Sequence, residues 1–379
     1  MLKAEGGMRA VFDGSVVRPP YAGVQLSVLA EMRAVAECLG DLSGCRFFGV
    51  DEALAGVVRA RGGRAEALPA PLARTAWRVL WQQLVLPGIL HRGGAQVLHA
   101  LAYTAPRRCP VPYVLNVHDV IALDRPEFCA TANRLHMRCL LPSSARRAAA
   151  CIVSTHYVAE RLQARLGIPG PRIHVLPLGV DAAHFAAAAP RPRLECLREG
   201  RPYLLFVGNL EPKKGVGTLL DAYASCAAAE HLDLVVAGRA AWTCAEVVAR
   251  LRPWQGRGRV HWLGRVPGEH LPGLLQHAVA LIMPSLEEGF GMPVLEAMAA
   301  GTPVIHSDHP ALLEAAGGAG MPFGVGNATA LAAAIDTLHD DPSRRADLAG
   351  AGTARAALVP WRRWGEGAVA ILREVLARG

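Results

Sequence analysis

Glu288 and Glu296 stand eight positions apart, on either side of Gly289-Phe-Gly-Met-Pro293. A glutamate accepts hydrogen bonds from paired hydroxyls, and glycines let the backbone approach a ligand closely. Residues 279–283 are an apolar run of strand length that stops at Pro284-Ser285. Pro293 suits the first turn of a helix, and residues 294–300 are mostly good helix formers. The block reads strand, glycine loop, helix, with Glu288 in the loop and Glu296 about a turn inside the helix. The amides of Gly291 and Met292 would then open toward the crevice at the strand's carboxyl end. That makes an anion site with a hydroxyl-binding carboxylate on each side. A nucleoside diphosphate sugar presents matching groups: a diphosphate, a ribose and a sugar. Singly, each glutamate reads more simply as a solvated surface residue. The glycine and proline punctuation between them is what favours a ligand loop.

Lysine usage points the same way. The chain has 37 arginines and three lysines: Lys3, and the adjacent pair Lys213-Lys214. Arginine serves wherever a generic cation suffices, so a compact ammonium kept at one place suits a phosphate met as a point charge. Residues 203–208 read as a strand, 209–215 as a turn and 218–223 as the opening of a helix.

These segments belong to a regular alternation. In the second half, strands are expected at 232–238, 260–264, 279–283 and 302–307, with helices at 245–251, 271–277 and 328–339. In the first half, strands are expected at 9–13, 46–50, 96–100, 111–117, 149–154 and 173–177, with helices at 24–39 and 157–166. Spacing of this kind means βαβ units and doubly wound parallel sheets. At 379 residues the chain suits two domains. The alanines and prolines of 186–193 read as the linker. A last helix is expected at 361–376.

Several classes are set aside. No run of eighteen apolar residues occurs, so no transmembrane helix is expected, and residues 1–8 lack the apolar stretch of a signal peptide, with Met8 a candidate natural start. Nine cysteines without a C-x-x-C pair suggest reduced, mostly buried thiols, and a cytoplasmic protein. The fourteen histidines show no zinc spacing and there is no D-x-D, so neither a metal nor another cofactor is expected. Nucleic-acid-binding motifs are absent, and no nucleic-acid partner is expected. The net charge of +8 falls entirely in residues 1–190, with 21 Lys+Arg against 13 Asp+Glu; residues 191–379 hold 19 of each. Either this is arginine-rich composition on solvated faces, or the first half is drawn to anionic lipids or an anionic acceptor.

The 288–296 block resembles the E-x7-E signature of retaining GT-B glycosyltransferases, the family 4 or group 1 transferases, and the likeness runs along nearly the whole chain. It implies two facing Rossmann-like doubly wound domains with an interdomain cleft. Residues 1–190 would bind acceptor and 191–360 the nucleotide sugar, and the helix from 361 would pack back on the first domain. By resemblance, Glu288 meets the donor sugar, Glu296 the nucleotide ribose and Lys214 the diphosphate. Gly289, Phe290, Gly291 and Met292 line the donor loop. Many members carry an arginine just after the strand's glycine; here that place is Asn209, and Lys213 is the candidate substitute. His118, ending an apolar strand, would lie beside the reacting carbon. Gly23 stands where the family's glycine loop approaches the diphosphate, although Gln25 replaces a second glycine. Tyr103 and Asp119 are expected on the acceptor side.

The expectation is thus a metal-independent, retaining transferase moving a hexose from a UDP- or GDP-sugar to a glycan or lipid-linked acceptor. The stretch from His118 to Glu127 leans toward mannosyltransferases of surface-polysaccharide assembly, in contact with the inner membrane face. Rival readings are a nucleotide-sugar epimerase or sugar-phosphate phosphorylase of the same fold, or a non-catalytic sugar- or membrane-binding module.

Overall fold

Parallel strands covered on both faces read as mainly apolar runs, and the buried strands here do so, with Asp13, Asn116 and Asp233 the polar residues among them. Ala10–Asp13, Tyr113–Val117, Asp233–Ala237 and Ala280–Met283 are buried at every position. The computed structural model describes residues 7–19, 21, 23–190, 201–241, 244–256 and 259–378. They form two compact units, one of residues 1–179 with 361–379, the other of 180–360.

In the first unit, seven strands make one parallel sheet: β1 (Ala10–Asp13), β2 (Arg46–Phe48), β3 (Arg64–Glu66), β4 (Val97–Ala100), β5 (Tyr113–Val117), β6 (Ala150–Val153) and β7 (Ile173–Val175). Their order is β3-β2-β1-β4-β5-β6-β7, with every pair parallel. In the second unit, six strands do the same: β8 (Tyr203–Val207), β9 (Asp233–Ala237), β10 (Val260–Gly264), β11 (Ala280–Met283), β12 (Val304–Ser307) and β13 (Met321–Phe323). Their order is β10-β9-β8-β11-β12-β13, again all parallel. Each sheet grows from its first strand to one side and then jumps back to grow on the other. The reversal lies between β1 and β4 in one sheet and between β8 and β11 in the other. At such a point successive connections leave on opposite faces and open a crevice at the carboxyl ends of the strands.

Helices form where polar caps and apolar stripes allow. Asp51 caps Glu52–Ala60 by accepting from the Leu54 amide at 2.8 Å, and Thr155 caps His156–Leu166 by accepting from Val158 at 3.2 Å. Each cap contributes about 1 kcal/mol. The terminal helix Trp361–Arg378 packs on Val24–Leu39: Gly365 lies so close that a Cβ there would meet the Ala34 carbonyl oxygen at 2.6 Å, and Trp364 beside it is 2% exposed.

Two expectations change. The units part at Gly179/Val180, not within 186–193. The reason is local: Val180 bridges to Pro360, and Gln276 donates to the carbonyls of Phe185 and Ala187, both at 2.7 Å, so this stretch is fastened to the second unit. Residues 191–193 of the expected linker lie outside the described residues. Among the described residues the thiols are less buried than expected, and Cys196 lies outside those residues. Cys45, Cys151 and Cys226 are buried, Cys38, Cys109, Cys129 and Cys244 half-buried, and Cys139 exposed.

Candidate functional site

In the second unit, the loops after β8 and β11 meet at the sheet's reversal. The Lys213 carbonyl accepts from the Leu286 amide at 2.7 Å and from Glu287 at 3.3 Å. Gly215 has φ 65°, and a Cβ there would lie 2.0 Å from the Pro284 carbonyl oxygen. Only glycine lets the two backbones touch in this way. This contact brings Lys214 to Glu288. The Lys214 ammonium donates to Glu288 Oε1, and the buried Ser285 hydroxyl donates to the same oxygen at 2.9 Å. Ser285 is itself held from behind, since the Ser307 hydroxyl donates to its carbonyl at 2.6 Å. Burial pushes the Glu288 carboxyl up, but the charges of Lys214 and Lys213 and the two hydrogen bonds outweigh it, so Glu288 ends below the usual carboxylate range. It is a carboxylate at neutral pH although only 6% exposed.

The glycine loop then turns into the helix Met292–Ala299. Gly291 caps it with φ 104°, a conformation that favours glycine, and a Cβ there would lie 2.4 Å from Leu312 Cδ2 and displace that side chain. Phe290 is buried, Met292 half-buried, and Pro293 lies in the first turn, as expected. First-turn amides lack carbonyl partners within the helix, which leaves a positive dipole end beside Glu288. Glu296 lies inside the same helix, and burial alone raises its carboxyl to about 7. Asn209 and Lys213 converge on another acid: the Asn209 amide donates to Glu211 at 3.5 Å, and Lys213 approaches it at 3.5 Å. Lys213 thus shares its charge between Glu211 and the Glu288 field.

In the first unit, the loops after the adjacent strands β4 and β5 meet on the β4 side of the other reversal. The Tyr103 hydroxyl donates to Asp119 at 2.7 Å, and its ring stands edge-on to His118 with centroids 5.5 Å apart. Tyr103 has φ 60°, the one non-glycine residue described with positive φ. Such strain in a bulky residue persists where the surroundings enforce it, and it clusters at functional sites. The His118 Nε2 lies 2.9 Å from the Leu101 carbonyl, and Nδ1 lies 3.8 Å from Glu31. Burial lowers His118 against the opposing effects of that carbonyl and Asp119, so it is neutral at pH 7. Burial raises Glu31 well above the usual range, against the Asn116 amide that donates to it at 2.9 Å. Gly23 caps Val24–Leu39 with φ 50° and ψ −123°, a glycine-only conformation, and a Cβ there would meet nothing. Its neighbours Pro20 and Ala22 lie outside the described residues.

The structure therefore groups Lys214, Lys213, Asn209, Glu288 and residues 289–292 in one unit, and His118, Tyr103 and Asp119 in the other. Ser285, Ser307 and Glu31 went unnoticed in the sequence. Ser285 follows the apolar strand before Glu288, and that position was its only signal; Ser307 and Glu31 carried none. The buried pair Glu287 and His309, 3.3 Å apart, was missed as well. A cavity of about 340 Å³ also opens beside the ends of β1 to β3, lined by Arg18, Tyr21, Glu52, Arg59, Glu66 and apolar neighbours. None of the expected site residues lines it. Among the described residues no three His, Cys, Asp or Glu side chains gather as a metal-holding group.

Residues 195–355 match the family model described as glycosyl transferases group 1, and residues 23–184 match that of Glycosyltransferase Family 4. The chain belongs to the group 1 glycosyltransferases. It is 28% identical over 257 residues to the O-antigen chain mannosyltransferase B of Escherichia coli, covering 65% of this chain and 66% of that one, just under two thirds of its length. Its fold is GT-B. Solved structures of the same fold include Anabaena Alr3699/HepE in complex with UDP and glucose, at TM-score 0.71 and 18% identity, covering 97% of this chain and all of that one. WaaG, a glycosyltransferase involved in lipopolysaccharide biosynthesis, matches at TM-score 0.72 and 17% identity over 96% and 98%. In this glycosyltransferase the β8–β11 crevice lies in the group 1 match, and β4 and β5 with Tyr103, His118 and Asp119 lie in the family 4 match, which begins after β1.

Proposed function

We propose that this protein transfers a hexose, with retention at the anomeric carbon, from a nucleoside diphosphate sugar to a hydroxyl of a glycan or lipid-linked acceptor. The observation that carries the reading is the Lys214–Glu288–Ser285 cluster beside a glycine-capped helix at the β8/β11 reversal. Lys214 and the first-turn amides would neutralise the leaving diphosphate, with Lys213 in support. Glu296 would accept from the ribose, and Glu288 from the sugar hydroxyls. His118, buried and neutral, would border the reacting carbon, with Tyr103 and Asp119 toward the acceptor. The bond from the anomeric carbon to the phosphate oxygen breaks, and the acceptor oxygen bonds to the same face. The hydroxyl proton leaves on the departing phosphate. No glycosidase-like carboxylate pair is needed for this step, and the cationic leaving-group site supports a metal-independent reaction.

The donor class is a UDP- or GDP-hexose. Mannose is favoured by the O-antigen relative, and surface-polysaccharide assembly at the inner membrane face is the setting it supports. Nothing observed favours an epimerase, a phosphorylase or an inert binding module over transfer. The test is transfer from UDP- and GDP-hexoses to lipid-linked acceptors, with EDTA present throughout. Transfer should persist. Glu288→Gln should mainly lower kcat, because charge develops at the sugar, and Glu296→Gln should mainly raise the donor KM. Activity lost to EDTA and restored by Mg²⁺, or identical profiles for both variants, would overturn the assignment.

A further inference from the structure

Beyond β3 the first unit carries Thr75–Leu80 as helix, a single π turn Trp81–Val85 and the helix Leu86–Arg92. The inner side of this segment is built into the fold. Trp81, Leu86 and Leu90 join the core, and the buried Gln82 donates to Asp13 at 2.7 Å. The outer side is apolar and open: Trp77 is 53% exposed, Leu80 47%, Leu84 74% and Val85 45%. Positions 77, 80 and 84 follow helical spacing along one face. A lone exposed leucine needs no explanation, but four large apolar side chains on one short segment form a patch that marks an interaction surface. The helix Thr131–Arg147 packs on the same core through Met137 and Leu141, and its Leu135 is also 65% exposed.

The charge of the chain stretches that carry these residues has one sign. No Asp or Glu occurs between Glu66 and Asp119, or between Glu127 and Glu160. Arg74, Arg92, Arg107, Arg108, Arg138 and Arg147 of these stretches are exposed. Two of them gather beside the segment: the Arg107 amide donates to Gln83 at 2.9 Å, and Arg147 donates to the Arg107 carbonyl. A second copy docked symmetrically on this face would bring the same arginines against each other. An anionic bilayer matches both features, with hydrocarbon for the leucines and phosphates for the arginines. Trp77 is suited to the boundary between them.

We infer that Thr75–Arg92 is an interfacial anchor that seats Trp77, Leu80 and Leu84 in an anionic bilayer while the surrounding arginines hold its headgroups. The inference rests on the proposed lipid-borne acceptor for its purpose but not for its physics. The probe is co-sedimentation of the full chain with phosphatidylglycerol vesicles and with phosphatidylcholine vesicles, alongside Trp fluorescence. The protein should bind the anionic vesicles only, with a blue shift absent from Trp77→Ala. Leu84→Asp should weaken partition roughly ten-fold or more, and Arg107→Glu with Arg108→Glu roughly five-fold per site. Both stretches are exposed, so fold should persist, read as an unchanged melting point.

Vesicle binding indifferent to Leu84→Asp would overturn the anchor, as would no binding at low salt. A dimer in solution that Leu84→Asp dissolves would assign the face to a second copy instead. Nucleotide-induced stabilisation is measured separately on Leu84→Asp. Its absence from both Leu84→Asp and the parent protein would sink the transferase reading and leave the anchor standing.

Discussion

Lys214 and Glu288 answer to each other before they answer to any ligand. Their side chains are 16% and 8% exposed, so each desolvated charge depends on the other. Lys214→Ala should therefore act twice. It removes a charge partner of the leaving diphosphate, lowering turnover by about 30- to 1000-fold. It also strands a buried carboxylate, costing about 3 kcal/mol of stability. The double variant Lys214→Ala with Glu288→Gln should regain most of that stability and none of the turnover, read by denaturant melts beside single-turnover rates. A double variant no more stable than Lys214→Ala would refute the pairing. Glu296 offers a pH test. Its folded carboxyl is raised to about 7 by burial alone, against about 4.3 in an unfolded chain. The folded state thus holds the proton more tightly. The associated stability is fully present below about pH 4 and is lost as pH rises through about 7. Melting points of the parent protein should fall relative to Glu296→Gln between about pH 5 and pH 8. Parallel curves would show that this group is not raised. The sequence disclosed Glu288, Glu296 and Lys214 because type, spacing and scarcity mark them. It concealed Ser285 and Glu31, since a lone serine or a glutamate in an apolar helix carries no pattern until the fold surrounds it.

At the level of elements, legibility follows burial on both faces. The helix Val24–Leu39 and the strand Val260–Gly264 stand at the bounds the sequence suggests, and the other central strands are trimmed by a residue or two. Strand Arg64–Glu66 escaped because it is a three-residue edge strand with charged, partly exposed side chains. Strand Met321–Phe323 escaped because it contains a proline, and Thr131–Arg147 because Pro142 breaks its pattern. The segment Thr75–Arg92 escaped because apolar residues lie on both its buried and its exposed sides, so no polar face marks it as a helix. The join between loops was legible only as a glycine. Gly215 and Gly167 have nearly the same φ, 65° and 64°, but a Cβ at 167 would meet nothing, whereas at 215 it would strike the Pro284 carbonyl. Gly167→Ala should cost about 1 kcal/mol, the conformational penalty alone. Gly215→Ala should cost about 2–4 kcal/mol, because the β8 and β11 loops must part. Equal costs in denaturant melts would show that the two loops are not held in contact.

The whole molecule is electrically divided, and the division sharpens when drawn where the chain parts. The unit of residues 1–179 and 361–379 holds 25 Lys+Arg against 14 Asp+Glu, a net of +11. The unit of 180–360 holds 15 against 18, a net of −3. Among the described residues no helix is long and apolar enough to cross a membrane. Charge of one sign over one unit raises the local concentration of anionic partners and speeds encounter with them, and salt removes the effect. The acidic unit carries the cluster assigned to the nucleotide, where a half-buried lysine and helix amides act at contact distance. Contacts of that kind are screened far less than exposed charges. Salt should therefore separate the two halves of the reaction. Raising ionic strength from about 0.05 M to about 0.5 M shortens the screening length from roughly 14 Å to roughly 4 Å. Transfer to an acceptor embedded in anionic vesicles should slow several-fold over that range. Transfer to a water-soluble fragment of the same acceptor should hold nearly constant, and so should the donor KM. An equal loss with both acceptors would place the salt sensitivity at the nucleotide, and the basic unit would then have no part in finding the substrate.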